Sequence, residues 1–214
     1  MKKPKNPRSA AARGLRRSPL PHRLRIIAGI WRGSRLDFPQ VASIRPTPDR
    51  VRETLFNWLG DRIRGARCLD LFAGSGALGL EALSRGAAEV VFVDRDPRIG
   101  RHLRATLERF GCDRARVYVE SAWDFLEHRY GQFDVAFIDP PFAEGWAERA
   151  CEVLAAGAWL APGALIYIET PVEQSPPSLP EGWELLRQSR AGQVGYHLAR
   201  ASTGGETLAG TDAP

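Results

Sequence analysis

Cys68-Leu69-Asp70-Leu71-Phe72-Ala73-Gly74-Ser75-Gly76-Ala77-Leu78-Gly79 decides how the rest of the 214-residue chain is read. A short apolar run enters a glycine-rich turn, and the turn opens a helix that continues through Leu80-Glu81-Ala82-Leu83. Glycine accepts positive φ and lets a ligand come close to the backbone. The unpaired N–H groups at a helix start favour an anionic or electron-rich group. The stretch therefore predicts a strand, loop and helix that hold a nucleotide-type cofactor.

The spacing Gly74-x-Gly76-x-x-Gly79 satisfies the dinucleotide fingerprint, and Asp94 follows about twenty residues on, at the end of the next strand, where a ribose-binding acid belongs. Those features fit NAD and S-adenosyl-L-methionine (SAM) equally well. Asp70, four residues before Gly74, separates the two. A carboxylate there repels a pyrophosphate and suits the ammonium of a methionine moiety.

Asp139-Pro140-Pro141-Phe142, after the apolar run Phe133–Ile138, is the second discriminator. Two successive prolines fix φ and remove two donors. The carbonyls left facing the cleft are acceptors, the Asp139 carboxylate is another, and Phe142 offers a ring face. That set fits a planar base with an exocyclic NH₂. Asp139 and the Pro140 carbonyl would take its two N–H bonds, and Phe142 would stack on it, a contact worth ~1–3 kcal/mol. The amine lone pair would then point at the methyl of SAM, for in-line transfer by positioning and electrostatics. Asp139 is the expected first proton acceptor. No metal is required.

Working outward, short apolar runs near 67–72, 89–94, 115–119 and 133–138 alternate with helices near 77–85, 97–110 and 121–129. Continuous runs such as Val90-Val91-Phe92-Val93 are what a sheet covered on both faces needs. Regular βα alternation predicts an α/β fold with a doubly wound, mostly parallel sheet. Ligands of such sheets sit at the carboxyl ends of the strands. Asp70, Asp94, Ser121-Ala122 and Asp139 all fall there. Later come a helix over Trp146–Ala155, a strand over Ala164–Glu169, and a C-terminal antiparallel hairpin, Gly182–Arg190 and Gln193–Arg200, around Ala191-Gly192.

Upstream, residues 1–36 hold eleven of the thirty Lys/Arg and none of the twenty-five Asp/Glu, so the remainder is mildly acidic. A basic arm on an acidic domain points to a polyanionic partner, nucleic acid first, or else is a solvated tail. Residues 1–22 read as a disordered arm and 201–214 as a disordered tail. Residues 23–40 read as a β-hairpin carrying Arg25, Trp31, Arg32 and Arg35. Interleaved aromatic and basic groups there stack on bases and pair with phosphates, or belong to an edge hairpin with a part-buried Trp. In the helix over 47–60, Thr47 is the expected N-cap with Pro48 in the first turn, and Val51, Leu55, Trp58 and Leu59 share a face. Arg45, Arg50 and Arg52 near its start hold phosphate or pair with Asp49 and Glu53.

The longest apolar runs are too short to span a bilayer, and no apolar segment follows the basic start as in a secretory signal. Cys68, Cys112 and Cys151 are odd in number and lack CxxC spacing, which argues against a disulfide framework or a zinc site and for a reducing cytoplasm.

Asp139-Pro140-Pro141-Phe142 resembles motif IV of amino-group methyltransferases, and Asp70–Gly76 resembles their motif I. Further blocks narrow the likeness: Arg25–Gly33, Arg45–Leu59, Gly76–Arg85 and Ala191–Tyr196 together resemble the bacterial 16S rRNA guanine-N2 methyltransferase family of RsmD type, across roughly 23–200 in order. The resemblance implies a Rossmann-like methyltransferase core over 66–200 and an enzyme that methylates one guanine of the small ribosomal subunit. It implies that Asp70, Phe72, Gly74 and Gly76 line the methionine side of SAM, that Asp94 binds the ribose, that Ser121-Ala122 borders the adenine, and that Asp139 to Phe142 hold the guanine. Where many SAM enzymes have an acid at the adenine edge this chain has Glu120-Ser121-Ala122, so the contacting residue stays open. The implied partner is 16S rRNA or the subunit, met by the hairpin and by Arg45 and Arg50, and the location the cytoplasm; a monomer is the default for the oligomeric state. A DNA adenine-N6 methyltransferase needs a recognition region for which the chain has no room. A NAD oxidoreductase lacks a catalytic Tyr/Lys or His pair. A non-enzymatic RNA-binding assembly factor is the remaining alternative, and the intact Asp139 and glycines speak against it.

Overall fold

A computed structural model describes residues 22–39, 47–128, 131–141 and 145–202. Phe142, Arg45, the arm before His22 and the tail from 203 onward lie outside the described residues. Two strands, β1 (His22–Arg25) and β2 (Arg35–Phe38), pair antiparallel. Helix α1 (Asp49–Leu59) follows. Strands β3 (Arg67–Asp70), β4 (Glu89–Val93), β5 (Ala115–Tyr118) and β6 (Phe133–Ile138) alternate with helices α2 (Ala77–Ser84), α3 (Pro97–Arg109) and α4 (Ala122–Phe125). Helix α5 (Trp146–Ala156), β7 (Leu160–Pro171), β8 (Glu184–Ala191) and β9 (Val194–Arg200) complete the core.

The main sheet runs β5-β4-β3-β6-β7-β9-β8. Its first five strands are parallel, and β9 pairs antiparallel with both β7 and β8. The doubly wound sheet with an antiparallel C-terminal hairpin is the predicted architecture. The chain steps outward from β3 to β5 and then returns to β6, so strand order reverses between β3 and β6. A crevice opens at the carboxyl ends of strands at such a reversal. Asp70 ends β3 and Asp139 follows β6, one on each side of it.

Alternate residues of the central strands enter two cores. Cys68, Val90, Phe92, Val135, Phe137 and Tyr167 pack under α1, α2 and α3. Leu69, Val91, Val93, Ala136, Ile138 and Ile168 pack against α4 and α5. Burial on both faces explains the unbroken apolar runs. Gly79 lets α2 lie close on β4: a Cβ there would meet Phe92 at 2.2 Å.

Three expectations are revised. Pro48, not Thr47, precedes α1, and no side chain caps the helix. The Thr47 hydroxyl donates instead to Asp139 Oδ2 at 3.4 Å, because Thr47 is buried toward the sheet edge. Arg52 pairs with Asp49, one of the two expected partners, but it is fully buried in α1 and so is not placed to hold phosphate. Its guanidinium donates to Asp49 Oδ1 at 2.6 Å, Glu81 Oε2 at 3.4 Å and the Arg25 carbonyl at 2.8 Å. Finally, the core outlasts Arg200: Ala201 is buried and its N–H bonds to the Ala164 carbonyl at 2.9 Å.

The N-terminal hairpin is docked on α2. Buried Glu81 accepts the N–H groups of Ile27 at 2.8 Å and Ala28 at 3.0 Å. Ser84 at the end of α2 accepts the Trp31 N–H with its hydroxyl at 3.0 Å and the Ile30 N–H with its carbonyl at 2.8 Å. Gly29 makes the approach possible: φ is +82°, and a Cβ would lie 1.8 Å from the Ser84 carbonyl oxygen.

Candidate active site

Carboxylates collect along the carboxyl edge of the sheet. Asp70 is buried, and its Oδ2 accepts the Gly79 N–H of α2 at 2.9 Å. Burial pushes its carboxyl up to about 7 against that hydrogen bond, with the charges of Asp139 and Asp94 adding to the rise. Among the described residues it has no salt bridge. An acid held in this way, at the foot of a glycine loop, suits an incoming ammonium.

Asp94 is half-buried beyond β4. Its Oδ2 accepts the Gly74 N–H at 2.9 Å and its Oδ1 accepts the Asp96 N–H at 2.8 Å. The glycine loop and Asp94 are therefore one unit. Burial raises this carboxyl too. Gly76 has φ of +76° and directly precedes α2. Ser121 is spent locally, capping α4 by accepting the Asp124 N–H at 3.1 Å, while Ala122 is buried beside it.

Phe72, half-buried in the loop, belongs to an aromatic group that the sequence did not reveal. It meets Trp123 at 6.2 Å and Trp146 at 6.1 Å between ring centroids, and those two meet at 5.5 Å. Arg149 lies 4.1 Å over the Trp123 ring. A shallow pocket beside Pro140 and Pro141 is walled by Trp146, Thr170, Pro171 and Gln174, with Glu169 also lining it. Glu169 was missed as a site residue. The signal was there, since it ends the apolar run Ala164–Ile168 as Asp70 and Asp139 end theirs.

The exposed side chains of Arg25, Arg32 and Arg35 stand on the hairpin, and that of Arg50 stands on α1. Trp31 is only half-exposed; one face stacks on Phe110, with centroids 4.4 Å apart and planes 11° from parallel.

Asp70 gives the ligand-free protein a characteristic pH response. An acid whose folded pKa lies above its unfolded value binds its proton more tightly when folded. Stability contributed this way is complete below the unfolded value of 3.8 and is lost as pH rises toward about 7. Thermal denaturation of the wild type should therefore show a melting temperature that falls over that interval, and Asp70→Asn should flatten the fall. Equal slopes in both proteins would remove Asp70 as the cause.

The sequence profile of the family Conserved hypothetical protein 95 matches residues 24–200. The chain is 46% identical over 184 residues to the ribosomal RNA small subunit methyltransferase D of Escherichia coli K12, covering 86% of this chain and 93% of that one. A solved Escherichia coli structure named as methyltransferase yhhF superposes with a TM-score of 0.79 at 44% identity, over 85% of this chain and 99% of that one. The Thermus thermophilus 16S rRNA N2 G1207 methyltransferase RsmC, solved with AdoMet and guanosine, superposes with a TM-score of 0.59 at 26% identity, over 86% of this chain and 50% of that one. SAM is the cofactor of this fold, and Asp70, the Gly74–Gly76 turn and Asp94 fit it in the order of its methionine and ribose. The chain belongs to the Conserved hypothetical protein 95 family, the RsmD-type methyltransferases.

Proposed function

We propose that the protein methylates the exocyclic N2 amine of one guanine in the 16S rRNA of the small ribosomal subunit. The observation that carries the reading is the placement of Asp139 and Pro140 at the β6 edge of the crevice, across from Asp70 and the glycine loop. The likeness to small-subunit rRNA methyltransferases supports rRNA as the substrate. The guanosine-bound neighbour supports guanine. When bound, SAM supplies an electrophilic methyl group.

The chain's own residues do the rest. Asp139 accepts one N–H of the amine and the Pro140 carbonyl the other, which aims the nitrogen lone pair into the cleft. Pro141 stiffens the turn. Phe142, the residue expected to stack on the base, lies outside the described residues. Asp70 and the loop hold the amino-acid end of the cofactor, and Asp94 holds the ribose. Ser121-Ala122 would border the adenine, and Phe72, in the loop, would line the methionine side. Exposed Arg25, Arg32, Arg35 and Arg50, together with Trp31, form a basic surface for the RNA backbone, which sets position rather than sequence; Arg45, expected to join them, lies outside the described residues. The same reading makes the protein a cytoplasmic monomer. No described helix is long and apolar enough to cross a membrane.

The test is transfer of labelled methyl from SAM to 16S rRNA or small subunits from cells lacking the enzyme, followed by nucleoside analysis. A single N2-methylguanosine is expected. Label in N6-methyladenosine would overturn the base assignment. No label despite SAM binding would turn the reading toward a binding factor.

A further inference from the structure

Ile138 of β6 pairs with Ile168 of β7 in parallel register. The next residues along the two strands, Asp139 and Glu169, are therefore neighbours at the sheet edge. Both lie on the α1 side: Thr47, just before α1, donates its hydroxyl to Asp139 Oδ2, and Tyr167, two residues before Glu169 on the same face of β7, packs in the core under α1. Glu169 is 7% exposed, and the Tyr167 hydroxyl donates to its Oε1 at 2.6 Å. Asp70 faces the pair from β3, and Tyr196 of β9 stands in register with Glu169. Among the described residues neither Asp139 nor Glu169 has a salt bridge. The nearby guanidinium, that of Arg52, is turned to Asp49, Glu81 and two carbonyls.

We propose that Asp139, held by Thr47, and Glu169, held by Tyr167, act as one carboxylate pair that receives the proton released from the amine, with Glu169 a positioning residue acting through Asp139. The inference rests on the assignment of Asp139 to the amine. Two adjacent carboxylates without a protein cation cannot both ionise cheaply, so the ligand-free pair retains a proton. Burial raises both carboxyls, and the charge of Asp139 raises Glu169 further. A sulfonium beside the amine site compensates the second negative charge and lets that proton leave. In the transfer, the amine lone pair forms the N–C bond and the C–S bond breaks with its electrons going to sulfur. One N–H proton passes to Asp139 and is shared with Glu169. The sulfur loses its positive charge as the pair loses a negative one, so the summed charge of pair and sulfur is the same before and after.

The readout is proton release, measured by titration calorimetry of the full chain near neutral pH in two buffers of different ionisation enthalpy. SAM and S-adenosylhomocysteine both carry the ammonium that faces Asp70, so Asp70 contributes equally to each. They differ at the sulfur. The wild type should release more protons with SAM than with S-adenosylhomocysteine, and Glu169→Gln should lose that excess while still binding both. Thr47→Val, which keeps both carboxylates, should reduce it and serves as the second variant. Equal proton counts in the wild type, or an undiminished excess in Glu169→Gln, would overturn the pair. An adenine product in the nucleoside analysis would overturn guanine and leave the proton count standing, so the two failures are distinguishable.

Discussion

Asp139→Ala lowers methyl transfer by about a thousand-fold, the scale seen when one positioned polar group is removed from a reacting centre, and leaves SAM affinity within a few-fold of the wild type. The carboxylate is held by the Thr47 hydroxyl at the amine side of the crevice. The cofactor side is built from different groups, Asp70 on Gly79 and Asp94 on Gly74. Alanine removes the acceptor that orients the amine and takes its proton, but none of the groups that hold the cofactor. Single-turnover rates with saturating SAM, set beside equilibrium SAM binding, measure the two effects separately. If SAM binding collapsed with the rate, Asp139 would belong to the cofactor pocket instead.

Glu81→Ala destabilises the fold by about 3–5 kcal/mol, the cost of leaving a buried charge without its partner. Its carboxylate is fully buried and receives the N–H groups of Ile27 and Ala28, the Arg52 guanidinium and Arg85 Nε at 2.7 Å. Alanine strands those donors and weakens the neutralisation of Arg52, which keeps Asp49 as a partner. Urea unfolding of the variant checks the size. A loss below about 1 kcal/mol, the scale of an exposed ion pair, would show that water or Asp49 replaces Glu81.

The strands and the carboxylates that end them were legible because burial on both faces forces unbroken apolar runs. An acid that closes such a run stands out, which is why Asp70, Asp94 and Asp139 could be named from spacing. Glu169 closes one too, but its meaning depends on β7 lying beside β6, and no local pattern encodes strand order. Arg52 was read as a charge at a helix start, the ordinary fate of an arginine there. Its pairing with Asp49 was legible, but its burial against Glu81 and the Arg25 carbonyl comes from the tertiary fold. Thr47 followed the same logic: the sequence before Pro48 looks like a cap, and the tertiary fold spends the hydroxyl on Asp139. The Trp123–Trp146 contact joins two helices from separate βα units and left no trace in the spacing of either.

Glu81 and Ser84 make the hairpin inseparable from the helix that opens the cofactor loop. Strands β1 and β2 resemble a short module that could be exchanged between relatives. A crossover placed anywhere between residues 40 and 76 would nevertheless take Gly29 and the Ile27 and Ala28 donors from one parent and their acceptors on α2 from the other. Where two parents differ at Gly29, Glu81 or Ser84, a chimera should therefore fold well only when the hairpin and α2 come from the same parent, so the unit of inheritance is discontinuous in the chain.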